Sequence, residues 1–351
     1  MSTVTTLRDS LRRYAKEGEL YLNVDEHTIE CFACGHRCLI KDGRDGICKI
    51  RFNRGGKLFV PHGYTAGIQV DPIEKKPFFH VLPGAKALSF GMLGCDLHCS
   101  YCQNWITSQA LTDPRAGADP MPITPQQITH LAKSYNARII TSTYNEPLIT
   151  SEWAVEIFKE SKKENKLCSY VSNGNATPEV LSYIRPYVDL YKVDLKSFND
   201  KNYRKLGTRL QTVLDSIRMI YDQGFWLEVV SLIIPTFNDS DHELHAMAEF
   251  LASVSEFIPW HVTAFHQDYK MTEPDDTSAG TLLRAVRIGK DSGLRYVYAG
   301  NLPGFLGTSE NTYCHQCNTL LIERVGFRVL QNKMERGACF QCKTPIPGIW
   351  T

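Results

Sequence analysis

The sequence predicts an α/β protein: a partial TIM-type barrel of the (β/α)6 kind, with a Cys-rich segment before it and a small four-cysteine knuckle after it. Three observations carry that reading. Apolar runs of strand length recur from about residue 85 onward, helix patterns with clear starts lie between them, and eleven of the twelve cysteines fall into three local groups.

The strand-like runs are ALSFGML, RIITSTY (138–144), LCSYVSN (167–173), DLYKVDL (189–195), FWLEVVSLIIP (225–235), WHVTAF (260–265) and RYVYA (295–299). Near-continuous apolar strands suit a parallel sheet covered on both faces. Thr124-Pro125 and Thr177-Pro178 each offer an N-cap followed by proline at the first helical position. ITSEWAVEIFKESKKENK (149–166) sets Trp153, Ile157 and Phe158 on one side and charge elsewhere. Six or seven βα units make a barrel or partial barrel, whose chemistry belongs at the C-terminal ends of the strands. Pro303, Gly304 and Gly307 mark a linker. The expected units are residues 1–69, a metal-binding segment; 70–306, the barrel; and 307–351, the knuckle.

Composition narrows the function. The chain has 351 residues, 43% hydrophobic and 22% charged, with a net charge of +1. That balance gives no broad electrostatic footprint for nucleic acid or anionic lipid. The first twenty residues lack the apolar core of a signal peptide, and no stretch approaches the ~18 apolar residues of a membrane span. The expectation is a soluble, cytoplasmic protein with neither a nucleic-acid nor a membrane partner. Without a secretory signal, twelve cysteines point to metal ligands or catalytic groups rather than disulfides.

The central group, Cys95, Cys99 and Cys102, lies in the Gly-flanked loop GCDLHCSYCQNW directly after the first strand. Closely spaced thiolates are good iron–sulfur ligands. Three of them serve three irons of a 4Fe–4S cube and leave the fourth iron open to an exchangeable ligand. A zinc ion completed by His98 is the alternative, and three unligated thiols would lack a counter-charge.

Cys-x3-Cys-x2-Cys with an aromatic residue before the last cysteine, here Tyr101, resembles the signature of radical S-adenosylmethionine (SAM) enzymes. The resemblance implies a barrel of the radical SAM kind, with a 4Fe–4S cluster on Cys95, Cys99 and Cys102 and SAM as cofactor. Reductive cleavage of SAM would give methionine and a 5′-deoxyadenosyl radical that abstracts hydrogen from a small-molecule or partner-protein substrate. Other stretches follow the family in order. Tyr144-Asn145-Glu146-Pro147 stands where the family carries Gly-Gly-Glu-Pro, which marks Asn145 and Glu146 for the methionine amino group. Val171-Ser172-Asn173-Gly174 resembles the Asp-Thr-Asn-Gly of glycyl-radical activating enzymes, marking Ser172 and Asn173, with Val171 replacing the aspartate. Asp194-Leu195-Lys196 matches their Asp-Leu-Lys, and Lys196 would pair with the cofactor carboxylate. Pro259-Trp260-His261 resembles their Leu-Pro-Tyr-His and marks His261.

Residues 70–105, 258–271, 293–304 and the tail resemble the radical SAM enzyme of the AmmeMemoRadiSam system, itself similar to pyruvate formate-lyase activating enzymes. Ala264 and Gln267 depart from that pattern, where arginine and proline are usual. The implied partners are an electron donor such as a flavodoxin or ferredoxin and a Memo-like protein. A glycyl radical installed on a partner enzyme is the alternative activity.

The outer groups read as structural. Cys314-x2-Cys317 and Cys339-x2-Cys342 have the spacing of a zinc ribbon or a rubredoxin-like knuckle, for zinc or a single iron. Cys31, Cys34, Cys38 and Cys48 suffice for zinc or a complete 4Fe–4S cluster, with His36 as a substitute ligand. Gly43 and Gly46 let that loop turn back. Cys168 reads as a small apolar strand residue. A function of another class, a non-catalytic zinc-binding interaction module, is opposed by the neutral charge and the large α/β core.

Overall fold

The computed structural model describes residues 6–351; the first five residues of the N-terminal stretch discussed above lie outside it. Its centre is an eight-stranded sheet. We label the strands β1 (Gly67–Pro72), β2 (Lys86–Gly91), β3 (Ala137–Ser142), β4 (Leu167–Ser172), β5 (Leu190–Asp194), β6 (Trp226–Ile233), β7 (Trp260–Ala264) and β8 (Val297–Gly300). They lie in chain order; every pairing from β2 to β8 is parallel, and β1 runs antiparallel along β2. The two ends of the order do not pair, so the sheet is an open barrel.

Each parallel crossover carries a helix. These are α1 (Pro125–Ser134), α2 (Ser151–Lys163), α3 (Pro178–Ile184), α4 (Asp200–Leu206) and α5 (Leu210–Asp222) together between β5 and β6, α6 (Asp241–Val254), and α7 (Ala279–Asp291). Thr124 forms a capping box with Gln127, and Thr177 accepts the Val180 amide, so both expected starts hold. Trp153, Ile157 and Phe158 are buried along α2, with Phe158 against Phe90 and Tyr170 of the sheet and Trp153 against His62, and Cys168 is buried in β4. Seven of the eight strands match the apolar runs read from the sequence. The eighth, β1, covers the antiparallel edge of β2 and spans the expected boundary near residue 69.

Residues 15–61 form two small antiparallel sheets that lie against α2. One buried ion pair joins them to it. Arg51 donates to both carboxylate oxygens of Glu152 at 2.7 and 2.8 Å and to the Ile149 carbonyl at 3.1 Å. At the other end, Thr312–Tyr313, Leu320–Val325 and Arg328–Asn332 make a three-stranded antiparallel sheet. Its Leu321 and Ile322 pack with Phe79, Tyr296 and Tyr298, and Arg324 donates to the Phe79 carbonyl at 2.7 Å. The knuckle therefore rests on the barrel's β7–β8 side.

A buried pair leaves an uncompensated charge when one partner is removed. Glu152→Ala is expected to lower stability by about 3–5 kcal/mol, measured as a shifted urea midpoint. Glu164→Ala, which removes the exposed partner of Lys133, should cost under about 1 kcal/mol. Equal small shifts would contradict the role given to Arg51 and Glu152.

Candidate active site

The C-terminal ends of the parallel strands surround two adjoining cavities. The inner one, about 100 Å³, is lined by Cys95, Cys99 and Cys102 and by Asn145, Glu146, Ser172, Asn173, Asp194 and Lys196. The outer one, about 400 Å³, shares Cys99, Cys102, Asp194 and Lys196 and adds Tyr101, Lys192 and His261. Every central candidate named from the sequence thus lines one cavity or the other.

The cysteine loop leaves β2 through Gly94, whose φ of +93° belongs to the left-handed region that glycine tolerates. Cross-links hold it there: the Gly94 amide donates to the Thr107 carbonyl at 3.0 Å, and Gln109 donates to the Leu97 carbonyl at 3.1 Å. The Cys102 sulfur shares a 3.2 Å hydrogen bond with Ser108. His98, the alternative zinc ligand, lies against Gly207 and is absent from the inner cavity wall. No fourth thiol or imidazole lines that wall among the described residues.

Glu146 is the acidic centre. Ser172 donates to it at 2.7 Å, and the Asn173 and Leu148 amides at 2.8 and 3.1 Å. Burial, reinforced by the Asp96 carboxylate, nevertheless pushes its carboxyl up to about 8. Asp96 is itself fixed by the side-chain amides of Asn173 and Asn175, at 2.7 and 2.8 Å. Burial, with Asp96 and Glu146 beyond it, holds the Cys95 thiol well above its ordinary range, and burial lifts Cys99 to about 11. Such thiols become ligands only by exchanging their protons for a cation. The Asn145 side-chain oxygen accepts the Met92 amide at 2.9 Å, which pins the Glu146 turn to the end of β2. Tyr101 lines the outer cavity, while its hydroxyl is buried and unpartnered.

Lys192 and Asp194 lie two apart on β5 and therefore share its inner face. Asp194 pairs with both Lys192 and Lys196. Burial pulls the Lys196 ammonium down, but Asp194 and the Cys99 sulfur outweigh it and keep the group charged. His261 lines the outer cavity, with its Nε2 bonded to Glu228 at 2.7 Å and its ring stacked on Tyr298. Asp96, Ser108, Lys192 and Glu228 were missed by motif reading. Lys192 and Glu228 did carry a signal, each being a charge inside an otherwise apolar strand.

The outer cysteine groups behave differently from each other. The sulfurs of Cys314, Cys317, Cys339 and Cys342 lie within 4.8 Å of one another, a cage for one ion. Hydrogen bonds with the Thr319 and Thr344 side chains and amides hold the Cys317 and Cys342 thiols down, Cys342 at about 6. The four-cysteine knuckle over residues 314–342 is thus assembled, and its donors suit zinc or iron alike. Cys31, Cys34, Cys38 and Cys48 form no disulfide and gather near the barrel, with His36 turned instead to the Asp96 carbonyl at 3.0 Å. No helix among the described residues is long and apolar enough to cross a membrane.

Comparison with known proteins gives four findings. Residues 91–251 match the model of the Radical SAM superfamily. The Methanocaldococcus jannaschii protein MJ0808, itself uncharacterized, is 33% identical over 335 residues, 94% of this chain and 98% of its own. The pyruvate formate-lyase-activating enzyme of Clostridium pasteurianum is 22% identical over 209 residues, 54% of this chain and 84% of its own. Among solved structures, a domain of the pyruvate-formate lyase-activating enzyme of Bacteroides vulgatus shares 22% identity, with a TM-score of 0.41 over 46% of this chain and 98% of that one.

In the full chain, Cys339→Ser is expected to remove one metal equivalent, counted by elemental analysis, and to expose residues 307–351 to protease while the barrel stays folded. Unchanged metal content would show that the four sulfurs hold no ion.

Proposed function

The chain belongs to the radical SAM superfamily and is a radical SAM enzyme; from that premise we propose how its own residues serve the reaction. Cys95, Cys99 and Cys102 hold a 4Fe–4S cluster that keeps one iron free for SAM. The observation that carries this reading is the inner cavity, with three sulfurs on its wall and neither a fourth thiol nor an imidazole beside them. When bound, cluster and cofactor together supply a 5′-deoxyadenosyl radical that abstracts hydrogen from the substrate.

In this reading the residues divide the cofactor between them. Glu146, whose charged form lacks a cation, takes the methionine ammonium, with Ser172 and Asn173 orienting its two oxygens and Asn145 fixing its turn. Lys196 offers its ammonium to the cofactor carboxylate, while Asp194 holds that lysine in place. Tyr101, on the wall of the outer cavity, would flank the nucleoside side. His261, held by Glu228, stands across the outer cavity, where the reacting part of the substrate would meet the radical.

Phe327, from the knuckle, lines the outer cavity. That narrowing, and a volume of about 400 Å³ within the usual range for one small ligand, favour a small molecule or a single projecting group of a partner protein. The Clostridium relative's name favours a second reading, a glycyl radical installed on a partner enzyme. The electron would come from a flavodoxin or ferredoxin, and a Memo-like protein is the partner consistent with the AmmeMemoRadiSam resemblance. Transfer of deuterium from an α-deuterated glycine of a candidate partner into 5′-deoxyadenosine would select the second reading.

The chain reconstituted anaerobically with iron and sulfide, then given dithionite and SAM, is expected to yield 5′-deoxyadenosine and methionine. Cys95/Cys99/Cys102→Ala should yield neither, and absence of product from the loaded native chain would overturn the reading. Glu146→Gln is expected to weaken SAM binding by about tenfold or more, as for the loss of a hydrogen bond to a charged group, with iron content unchanged. Unchanged affinity would remove Glu146 from the cofactor site.

A further inference from the structure

We propose that Cys31, Cys34, Cys38 and Cys48 hold a second, complete 4Fe–4S cluster rather than a zinc ion. Cys31 ends the strand Thr28–Cys31, Cys38 opens the strand Cys38–Lys41, and the two stand directly opposite in the antiparallel register. Cys34 lies in the turn between them, and the backbone of the following loop brings in Cys48, with the Gly46 amide bonded to the Arg51 carbonyl at 2.8 Å. Cys31, Cys34 and Cys48 are buried, and none of the four is in a disulfide.

The molecule contains its own standard for ligand spacing. A tetrahedral zinc ion bonds each thiolate at about 2.3 Å, which draws all four sulfurs into one small shell. The C-terminal knuckle has that spacing, with every sulfur within 4.8 Å of the others. Among the described residues no three N-terminal sulfurs approach one another so closely, and the three of the central loop do not either. A cube binds each thiolate to a different iron and holds them wider apart. The N-terminal quartet, like the loop assigned a cube, therefore lacks the tight spacing of the one-ion cage.

The surroundings suit a buried anionic cluster. Arg51 is 1% exposed and places Nε 3.3 Å from the Cys31 sulfur, while its two terminal nitrogens are held by Glu152. Hydrogen bonds to ligand sulfur are among the levers that stabilise and tune such clusters. The quartet also abuts the active-site loop. A Cβ on Gly94, next to Cys95, would stand 3.1 Å from the Ile50 side chain and 3.4 Å from the Cys48 carbonyl. The two thiol loops touch, so the second cluster would sit beside the first.

The deciding experiment uses full-length Cys95/Cys99/Cys102→Ala, reconstituted anaerobically with ferrous iron and sulfide. The expected result is about four iron and four sulfide per chain, visible iron–sulfur absorption, and an electron paramagnetic resonance signal after one-electron reduction by dithionite. A second zinc equivalent without sulfide, or an empty quartet in the folded variant, would overturn the proposal. Cys34→Ala with the central loop intact is the complementary variant: its iron should fall from about eight to about four, and iron unchanged from the native chain would equally overturn it. Neither count involves SAM, so this proposal can fail while the SAM reading stands.

Discussion

Buried negative charge is the constraint on which the site depends. Three thiols and the carboxylates of Glu146 and Asp194 line one small cavity, with Asp96 directly behind them. On that wall the opposing ammonium is that of Lys196, with Lys192 on the adjoining outer cavity, and both are already shared with Asp194. In a low-dielectric interior such a set stays protonated or takes up cations. The raised Cys95, Cys99 and Glu146 groups are the molecule's record of that unmet demand. Iron at the sulfurs and an ammonium at Glu146 would meet it together.

The fold supplies the convergence. Parallel strands laid down in chain order bring every strand's C-terminal end to one rim, and side chains two apart share the inner face. Gly94 turns the chain immediately after the first parallel strand, so the thiols come back over the rim rather than away from it. The flanking segments brace the rim from opposite sides. Arg51 and Glu152 fasten the N-terminal sheets to α2, and Arg324, bonded to the Phe79 carbonyl, seats the knuckle beside His261 and Tyr298.

Much of this was legible in the residues themselves. Apolar runs gave seven of the eight strands because a parallel sheet is buried on both faces, and Thr124-Pro125 and Thr177-Pro178 marked helix starts through local hydrogen bonding alone. The strand Gly67–Pro72 escaped because it is an edge strand, only half-buried, without an unbroken apolar run. Within the site, motifs found the residues whose spacing is local. Asp96 escaped because its role depends on Asn173 and Asn175, far away in sequence, and Glu228 because its partner His261 is on another strand. A charged residue inside an apolar strand, as at Lys192 and Glu228, was the available clue to an inward-facing polar site. Sulfur separation, which distinguishes the knuckle from the N-terminal quartet, has no counterpart in spacing along the chain.

The central claim is that one iron of the cluster on Cys95, Cys99 and Cys102 has no protein ligand and is free for SAM. Electron–nuclear double resonance on the reduced, loaded enzyme tests it directly, with SAM labelled by nitrogen-15 in the amino group and oxygen-17 in the carboxylate. The account predicts hyperfine coupling of both labels to the cluster, lost in the Cys95/Cys99/Cys102→Ala chain. A cluster that forms and is reduced, yet couples to neither label in the presence of saturating cofactor, would contradict it.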